Sequence, residues 1–117
     1  MAASVRTKHL MVQSMTSATS YRAGGKGTLK VGVFLGKKKT LGETTITITG
    51  PDGLEAEVKS VSSMDKAKNT VEVPFGFTKD AKKGSHDLKV TVRYTTQKGG
   101  KDKGAYTVTY TLPVTVE

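Results

Sequence analysis

The 117-residue sequence contains no cysteine, which excludes disulfide bonds, thiolate zinc sites and a cysteine nucleophile. It has no tryptophan, and its other rings are three phenylalanines, four tyrosines and two histidines. So few aromatic rings disfavour a sugar-stacking platform or a base-stacking surface. No apolar run exceeds a few residues, so the sequence lacks the ~20 apolar residues of a transmembrane helix. Residues 1–6 also lack the apolar stretch of a secretory leader.

The glycine-rich segment Gly24–Thr28 is superficially similar to a phosphate-binding loop. It fails as one because Ser20 stands where the opening glycine is needed. The segment also leads into a predicted strand, so no helix N-terminus would face an anion. We therefore predict no nucleotide site here.

Few residues offer catalytic or metal-binding chemistry. Ser85 precedes His86, but no oriented base and orienting group accompany them. His86 alternates with Leu88, which favours a half-buried residue at a strand start over a metal ligand or proton switch. Glu55 and Glu57 are interpreted as the solvated half of an alternating strand rather than a catalytic pair. We predict that the protein is not an enzyme and uses no cofactor and no metal.

Positive charge is in excess, with 19 lysine and arginine residues against 10 acidic residues and a net charge of +9. All but Arg6, Arg22 and Arg93 of these cations are lysines. Specific phosphate or base recognition favours the planar guanidinium of arginine. Lysine instead provides solubility and diffuse attraction to polyanions.

Apolar residues recur at every second position, which is the period of a β-strand. Seven strands are predicted on this basis: residues 8–15 (a weak candidate), 28–35, 44–50, 54–58, 70–77, 86–94 and 106–116. Turn residues separate strands at intervals typical of a sandwich or barrel. Clean alternation favours antiparallel sheets packed face to face. The predicted fold is an all-β, seven-strand antiparallel immunoglobulin-like β-sandwich with two sheets and Greek-key connections.

Two prolines lie within predicted strands, and proline cannot donate a ladder hydrogen bond. Pro74 and Pro113 therefore indicate edge positions or bulges, and Gly76 favours a bulge in the fifth strand. The chain is predicted to be a single domain overall, with an N-terminal segment, residues 1–20, that holds the weak first strand, and the immunoglobulin-like sandwich over residues 21–117. A helix over residues 3–15 is the alternative for the N-terminal segment.

The turn and strand motifs resemble the immunoglobulin-like domains of archaeal S-layer-associated and bacterial cell-surface proteins, including domains appended to secreted glycoside hydrolases. The segments that carry the resemblance are Ala23–Val31, Pro51–Leu54, Val73–Phe77, Asp80–Leu88, Val90–Tyr94 and Tyr106–Val116. The sequence departs from that pattern at His86, where the family has a tyrosine, which puts the tyrosine-corner hydrogen bond in question. The resemblance implies a structural, adhesive or protein-interaction module of a surface or secreted protein, without catalytic residues. It implies an extracellular or cell-surface location, although the composition also permits the cytoplasm.

Three connections of such a sandwich meet at one end, and here they are rich in lysine. The lysines concerned are Lys37, Lys38, Lys39, Lys66, Lys68, Lys98, Lys101 and Lys103. Only Asp65 and Asp102 oppose these eight lysines within the same connections. The favoured interpretation is that these lysines keep the hairpin tips soluble, with partners bound through other loops or edge strands. The alternative hypothesis is a basic pole that docks on a polyanion, namely nucleic acid, an anionic lipid surface, an acidic glycan or an acidic protein.

Overall fold

Ten strands and no helix make up the chain in the computed structural model, which describes residues 2–37, 39–98 and 101–117. The strands are β1 (Ala2–Arg6), β2 (Leu10–Thr16), β3 (Ser20–Tyr21), β4 (Lys26–Leu35), β5 (Thr40–Thr49), β6 (Leu54–Ala56), β7 (Lys59–Val61), β8 (Lys68–Phe77), β9 (Gly84–Lys98) and β10 (Lys101–Val116). The predicted all-β class is confirmed, but the predicted number of seven strands is wrong. The three additional strands are β1, β3 and β7, which have five, two and three residues and are too short to show a period. Strands β1 and β2 also replace the alternative of an N-terminal helix.

The strands form two five-stranded sheets. The first sheet has the order β1-β2-β4-β8-β6, and the second has the order β3-β10-β9-β5-β7. Neighbours are antiparallel except for β3 and β10, which pair in parallel through two residues each. Strands β1 and β2, from the predicted N-terminal segment, belong to the first sheet, and Leu10 and Val12 of β2 lie in the core.

The core lies between the sheets, where alternating side chains from both inner faces meet. Val90 and Val92 of β9 are fully buried, and Val108 and Tyr110 of β10 are buried beside them, as the alternation predicts. The Tyr110 hydroxyl forms a hydrogen bond with the Ser14 hydroxyl, which joins the two layers. Burial raises the pKa of Tyr110 above its ordinary value, and the Ser14 hydrogen bond opposes that change.

Both prolines lie where strand pairing ends on one side. Strand β6 ends at Ala56, opposite Phe75, and beyond it the Glu57 amide donates a hydrogen bond to the Pro74 carbonyl oxygen at 3.2 Å. Pro74 therefore lies at the end of the β6–β8 ladder rather than at an open edge. Pro113 precedes the two residues through which β10 pairs with β3, so the edge interpretation is confirmed for Pro113. The predicted bulge at Gly76 is wrong, because the register of β8 runs through Gly76 without a shift on both sides.

The predicted strand 54–58 ends early because the chain changes sheets there. Strand β6 belongs to the first sheet and β7 to the second, so residues 57–58 cross between the layers. Val58 is 60% exposed at this crossing, and Glu57 forms an ion pair with Lys59 at 3.1 Å. Glu55 and Glu57 are both exposed, as the solvated-face interpretation predicts.

Threonines occupy much of the outer face of the second sheet. Thr47, Thr91 and Thr109 lie side by side on β5, β9 and β10, and Thr45 and Thr107 flank Arg93 in the next row. β-Branched side chains of this kind suit an exposed pleated surface. This face therefore carries hydroxyl and methyl groups without a long apolar side chain.

The molecule is long and narrow, with extents of 48 × 19 × 17 Å, because the β9–β10 hairpin runs along its whole length. The connections consequently gather at two well-separated ends. Nowhere in the described ranges is there a helix with the length and apolar character needed to cross a membrane.

Candidate interaction surface at the lysine-rich end

The three lysine-rich connections meet at one end of the sandwich, as strand pairing requires. Thr40, the first residue of β5, pairs with Gln97 near the end of β9. Phe34, near the end of β4, pairs with Lys68, the first residue of β8. The start of β5, the start of β8 and the adjoining ends of β9 and β10 are thus neighbours in space.

We call this end the basic pole and define it by its described lysines: Lys37, Lys39, Lys66, Lys68, Lys98, Lys101 and Lys103. All seven are exposed, whereas Lys38 of the predicted set lies outside the described residues. Lys68, Lys98, Lys101 and Lys103 lie on strands rather than in loops, because β8 and the β9–β10 hairpin extend further than predicted. Within the described ranges, no ion pair joins a pole lysine to a carboxylate. The seven exposed pole lysines outnumber the two acids of the same connections, Asp65 and Asp102, so positive charge is in excess at this end.

The β1–β2 turn adds a further cation, which sequence reasoning missed. The Gly36 amide donates a hydrogen bond to the His9 carbonyl oxygen at 2.9 Å, and Leu10 pairs with Leu35. These contacts place exposed Lys8 beside the β4–β5 connection. Alternation within residues 8–15 does not show that β2 pairs with β4 along its whole length, so it cannot place Lys8 at this end.

A cluster of three rings lies at the pole. His9 is 8% exposed, and its Nδ1 atom lies 3.2 Å from the Tyr94 hydroxyl oxygen. The His9 ring centroid is 4.6 Å from that of Tyr106, which in turn stacks on Tyr94 at 5.5 Å. Burial lowers the pKa of His9 below its ordinary value of 6.5, and the charges of Lys8 and Lys39 lower it further. The cluster thus favours a neutral imidazole surrounded by cations.

His86 takes a structural position at the opposite end. It is half-buried at the start of β9, and its Nε2 atom donates a hydrogen bond to the Lys82 carbonyl oxygen at 2.7 Å. This contact reaches four residues upstream, as the hydroxyl of a corner tyrosine does in related sandwiches. His86 therefore closes the β8–β9 connection in the way the missing tyrosine would, which supports its interpretation as a corner residue.

The remaining sequence candidates do not assemble into a reactive site. The Gly24–Thr28 segment leads into β4, so it joins a strand rather than a helix. Within the described part of the chain, no three acidic or histidine side chains come close enough to hold a metal ion.

The sequence matches no family model and no curated protein, but several solved structures share the fold. The GAE domain of GGA2p from Saccharomyces cerevisiae is similar with a TM-score of 0.63 and 12% identity, over 97% of this chain and 98% of that one. Spo0M, a sporulation control protein from Bacillus subtilis, has a TM-score of 0.56 and 16% identity, over 95% of this chain and 50% of that one. The cohesin module of a family 33 glycoside hydrolase from Clostridium perfringens has a TM-score of 0.52 and 12% identity, over 89% of this chain and 96% of that one. At such low identity the likeness concerns the fold alone: the chain is an immunoglobulin-like β-sandwich.

Proposed function

We propose that the chain is a non-catalytic protein-interaction module that binds an extended segment of a partner along the outer edge of β10. The observation that carries the proposal is this edge. Strand β10 pairs with β9 throughout, but on its other side the described chain pairs with it only at Thr115 and Val116, through β3. Unpaired backbone groups on a strand edge are a template for an added strand.

The direction of the free groups follows from the pairing at the end of β10. The amides of Thr115 and Glu117 point away from β9, since they donate to the Thr19 and Tyr21 carbonyl oxygens. Because the direction alternates along a strand, Thr107, Thr109 and Thr111 present their amides on that same edge. Pro113 has no amide to present and therefore limits the open edge at one end.

The structural neighbours support an interaction role, because the GAE domain and the cohesin module are interaction modules and not enzymes. The sequence resemblance supports a place in a surface or secreted protein. Protease treatment of intact cells tests that location, since a surface module is cleaved and an internal one is protected.

The edge is tested with a displayed library of random peptides and hydrogen exchange of the selected complexes. Strand addition is expected to slow amide exchange at Thr107, Thr109 and Thr111. The variant Thr109→Pro removes one outward amide and is expected to abolish that protection, whereas Thr109→Val keeps the amide and serves as the matched control. Selected peptides that bind without slowing these three amides would show that the edge is not the binding site.

A second candidate function is polyanion binding by the basic pole. The specific observation in its favour is the meeting of three separate lysine-bearing stretches at one end, where the described lysines are all exposed. Nucleic acid, anionic lipid and acidic glycan would each be attracted to this positive charge. The test is binding to a heparin column and to duplex DNA across a salt titration, because displacement of counterions makes such binding strongly dependent on salt.

A further inference from the structure

The outer face of the first sheet carries a groove of about 530 Å³ centred on Gly32. Strand register places Gln13, Gly32 and Thr70 side by side on β2, β4 and β8. Gly32 has no side chain, so the middle of the sheet is lower there than on either side. Phe34 and Met15 form the walls along β4 and β2.

The walls are unusually apolar for an outer face. Met15 is 58% exposed, and Phe34 and Met11 are half-buried, although all three point away from the core. The outer face of the second sheet carries threonines at comparable positions. Exposed apolar side chains on the two sides of a groove suit an apolar anchor of a partner, and methionine adapts its shape to different partners.

Positively charged side chains lie around these apolar walls. The Lys68 ammonium lies 5.8 Å from the centre of the Phe34 ring, and an Arg6 guanidinium nitrogen lies 3.6 Å from the Met11 sulfur. Lys30 lies next to Met15 across the β2–β4 pair. Its neighbour on the other side is Glu72, but the described residues show no ion pair between them.

We infer that this groove binds an acidic segment of a partner protein. In that segment, an aromatic or methionine side chain would lie over Gly32 while flanking aspartates or glutamates face Arg6, Lys30 and Lys68. Charge complementarity identifies the partner, because Lys30 and Lys68 line the groove and Arg6 lies beyond it at Met11, against the carboxylate of Glu72 beside Lys30. The groove also adjoins the basic pole through Lys68, so acidic residues beyond the anchor would meet further lysines. A nucleic acid or glycan is less suited, because stacking of successive bases or sugar rings needs more aromatic side chains than Phe34, the aromatic residue among the described lining residues.

The inference rests on the proposed protein-interaction role but concerns a different surface, so separate variants distinguish the two. The probes are three synthetic peptides of equal length. The first has a central phenylalanine flanked by glutamates, the second replaces that phenylalanine with alanine, and the third replaces the glutamates with glutamines. Amide resonances across the protein are followed during titration. The first peptide is expected to shift the amides of Gly32, Phe34 and Gln13 and to bind about tenfold more tightly than either of the others.

The decisive variant is Gly32→Thr, which fills the groove and removes no contact. A Cβ atom at Gly32 would meet the edge of the Phe34 ring at 3.2 Å, and this half-exposed ring can move aside. Threonine also suits a strand better than glycine, so thermal stability is expected to be kept. The matched control is Thr109→Val on the other outer face. Gly32→Thr is expected to weaken the first peptide about tenfold, to the level of the peptide without the anchor.

Four outcomes would overturn the inference. Equal binding of the first two peptides would indicate general attraction to acid at the pole. Unchanged affinity of Gly32→Thr, or shifts confined to residues outside the groove, would place binding elsewhere. Failure of all three peptides to bind would exclude the groove as a binding site. The proposed binding site at the β10 edge would remain supported if library peptides slow the exchange of its amides.

Discussion

The Nδ1 atom of His9 lies 3.2 Å from the hydroxyl oxygen of Tyr94, a residue 85 positions further along the chain. This contact joins the β1–β2 turn of the first sheet to β9 of the second. Thr7 reinforces it, because its hydroxyl lies 3.3 Å from the same Tyr94 oxygen. The turn that carries Lys8 is therefore held to both layers at the basic pole.

The first prediction is that the protein loses stability in mild acid through His9. Burial and the charges of Lys8 and Lys39 lower the pKa of His9 in the folded protein below 6.5, so the unfolded chain binds a proton more readily. Above pH 6.5, neutral His9 makes its full contribution to the free energy of unfolding. This contribution declines as the pH falls through 6.5 towards the lower pKa of the folded state. Denaturant unfolding at neutral pH and at about pH 5 measures this change in the free energy of unfolding.

His9→Phe retains a ring against Tyr106 but cannot take up a proton, so its unfolding free energy is expected to depend less on pH in this range. The chain offers a matched control in His86→Asn, which alters the other histidine and should keep the His9 dependence. If His9→Phe and the unaltered protein show the same dependence on pH, another group is responsible.

The second prediction contrasts two glycines of β4. A Cβ atom at Gly27 would lie 2.5 Å from a Tyr21 ring carbon, and Phe75 and Phe77 pack against that buried ring. Gly27→Ala is therefore expected to lower the unfolding free energy by about 1–3 kcal/mol, the usual cost of overpacking. Gly32→Ala meets only a movable ring edge and is expected to leave stability unchanged or slightly raised. Equal effects of the two changes on the denaturation midpoint would contradict this reading of the packing.

Strand alternation predicts the long strands well because each of them buries one face against the opposite sheet. It cannot reveal β1, where Ala3 and Val5 are only partly buried, or β3, which consists of two residues. The parallel pairing of β3 with β10 joins residues almost the whole chain apart, and no local pattern encodes that contact. The bulge at Gly76 was wrongly predicted because a glycine in a strand can equally serve close packing, here against the Gly25 backbone and Lys26.

The candidate site could be predicted only in part. Chain order alone brings the three lysine-rich connections together, since alternate connections of a sandwich return to the same end. Lys8 joins them through the pairing of β2 with β4, which depends on the whole first sheet. The groove over Gly32 was missed because it requires the register of three strands, which places Met15 and Phe34 around one glycine.

The third prediction concerns the corner formed by His86. His86→Ala removes the hydrogen bond to the Lys82 carbonyl and is expected to lower the unfolding free energy by about 1 kcal/mol. Hydrogen exchange of the amides in residues 78–84 should become faster in this variant, because the His86 contact closes the β8–β9 connection. Ser85→Ala changes an exposed neighbour and provides the control. Unchanged exchange in His86→Ala would mean that the connection is held by its backbone hydrogen bonds alone.

The fourth prediction separates a localised basic pole from the net charge of the whole protein. The triple variant Lys37→Glu, Lys39→Glu, Lys66→Glu reverses three exposed pole charges and leaves the groove lysines unaltered. The matched variant Lys79→Glu, Lys82→Glu, Lys83→Glu makes the same change in net charge at the opposite end, in the exposed β8–β9 connection. If the pole binds polyanions, the first variant elutes from heparin at lower salt and the second elutes close to the unaltered protein.

Duplex DNA provides the quantitative form of this test. Each phosphate contact adds about −0.9 to the slope of log K against log salt, so loss of three contacts should flatten the slope by about 2.7. Equal flattening in both triple variants would show diffuse attraction by the net charge of +9, with no special role for the pole. A slope near zero for the unaltered protein would reject polyanion binding altogether. The lysines at this end would then serve solubility, because lysine on exposed strand ends discourages edge-to-edge association.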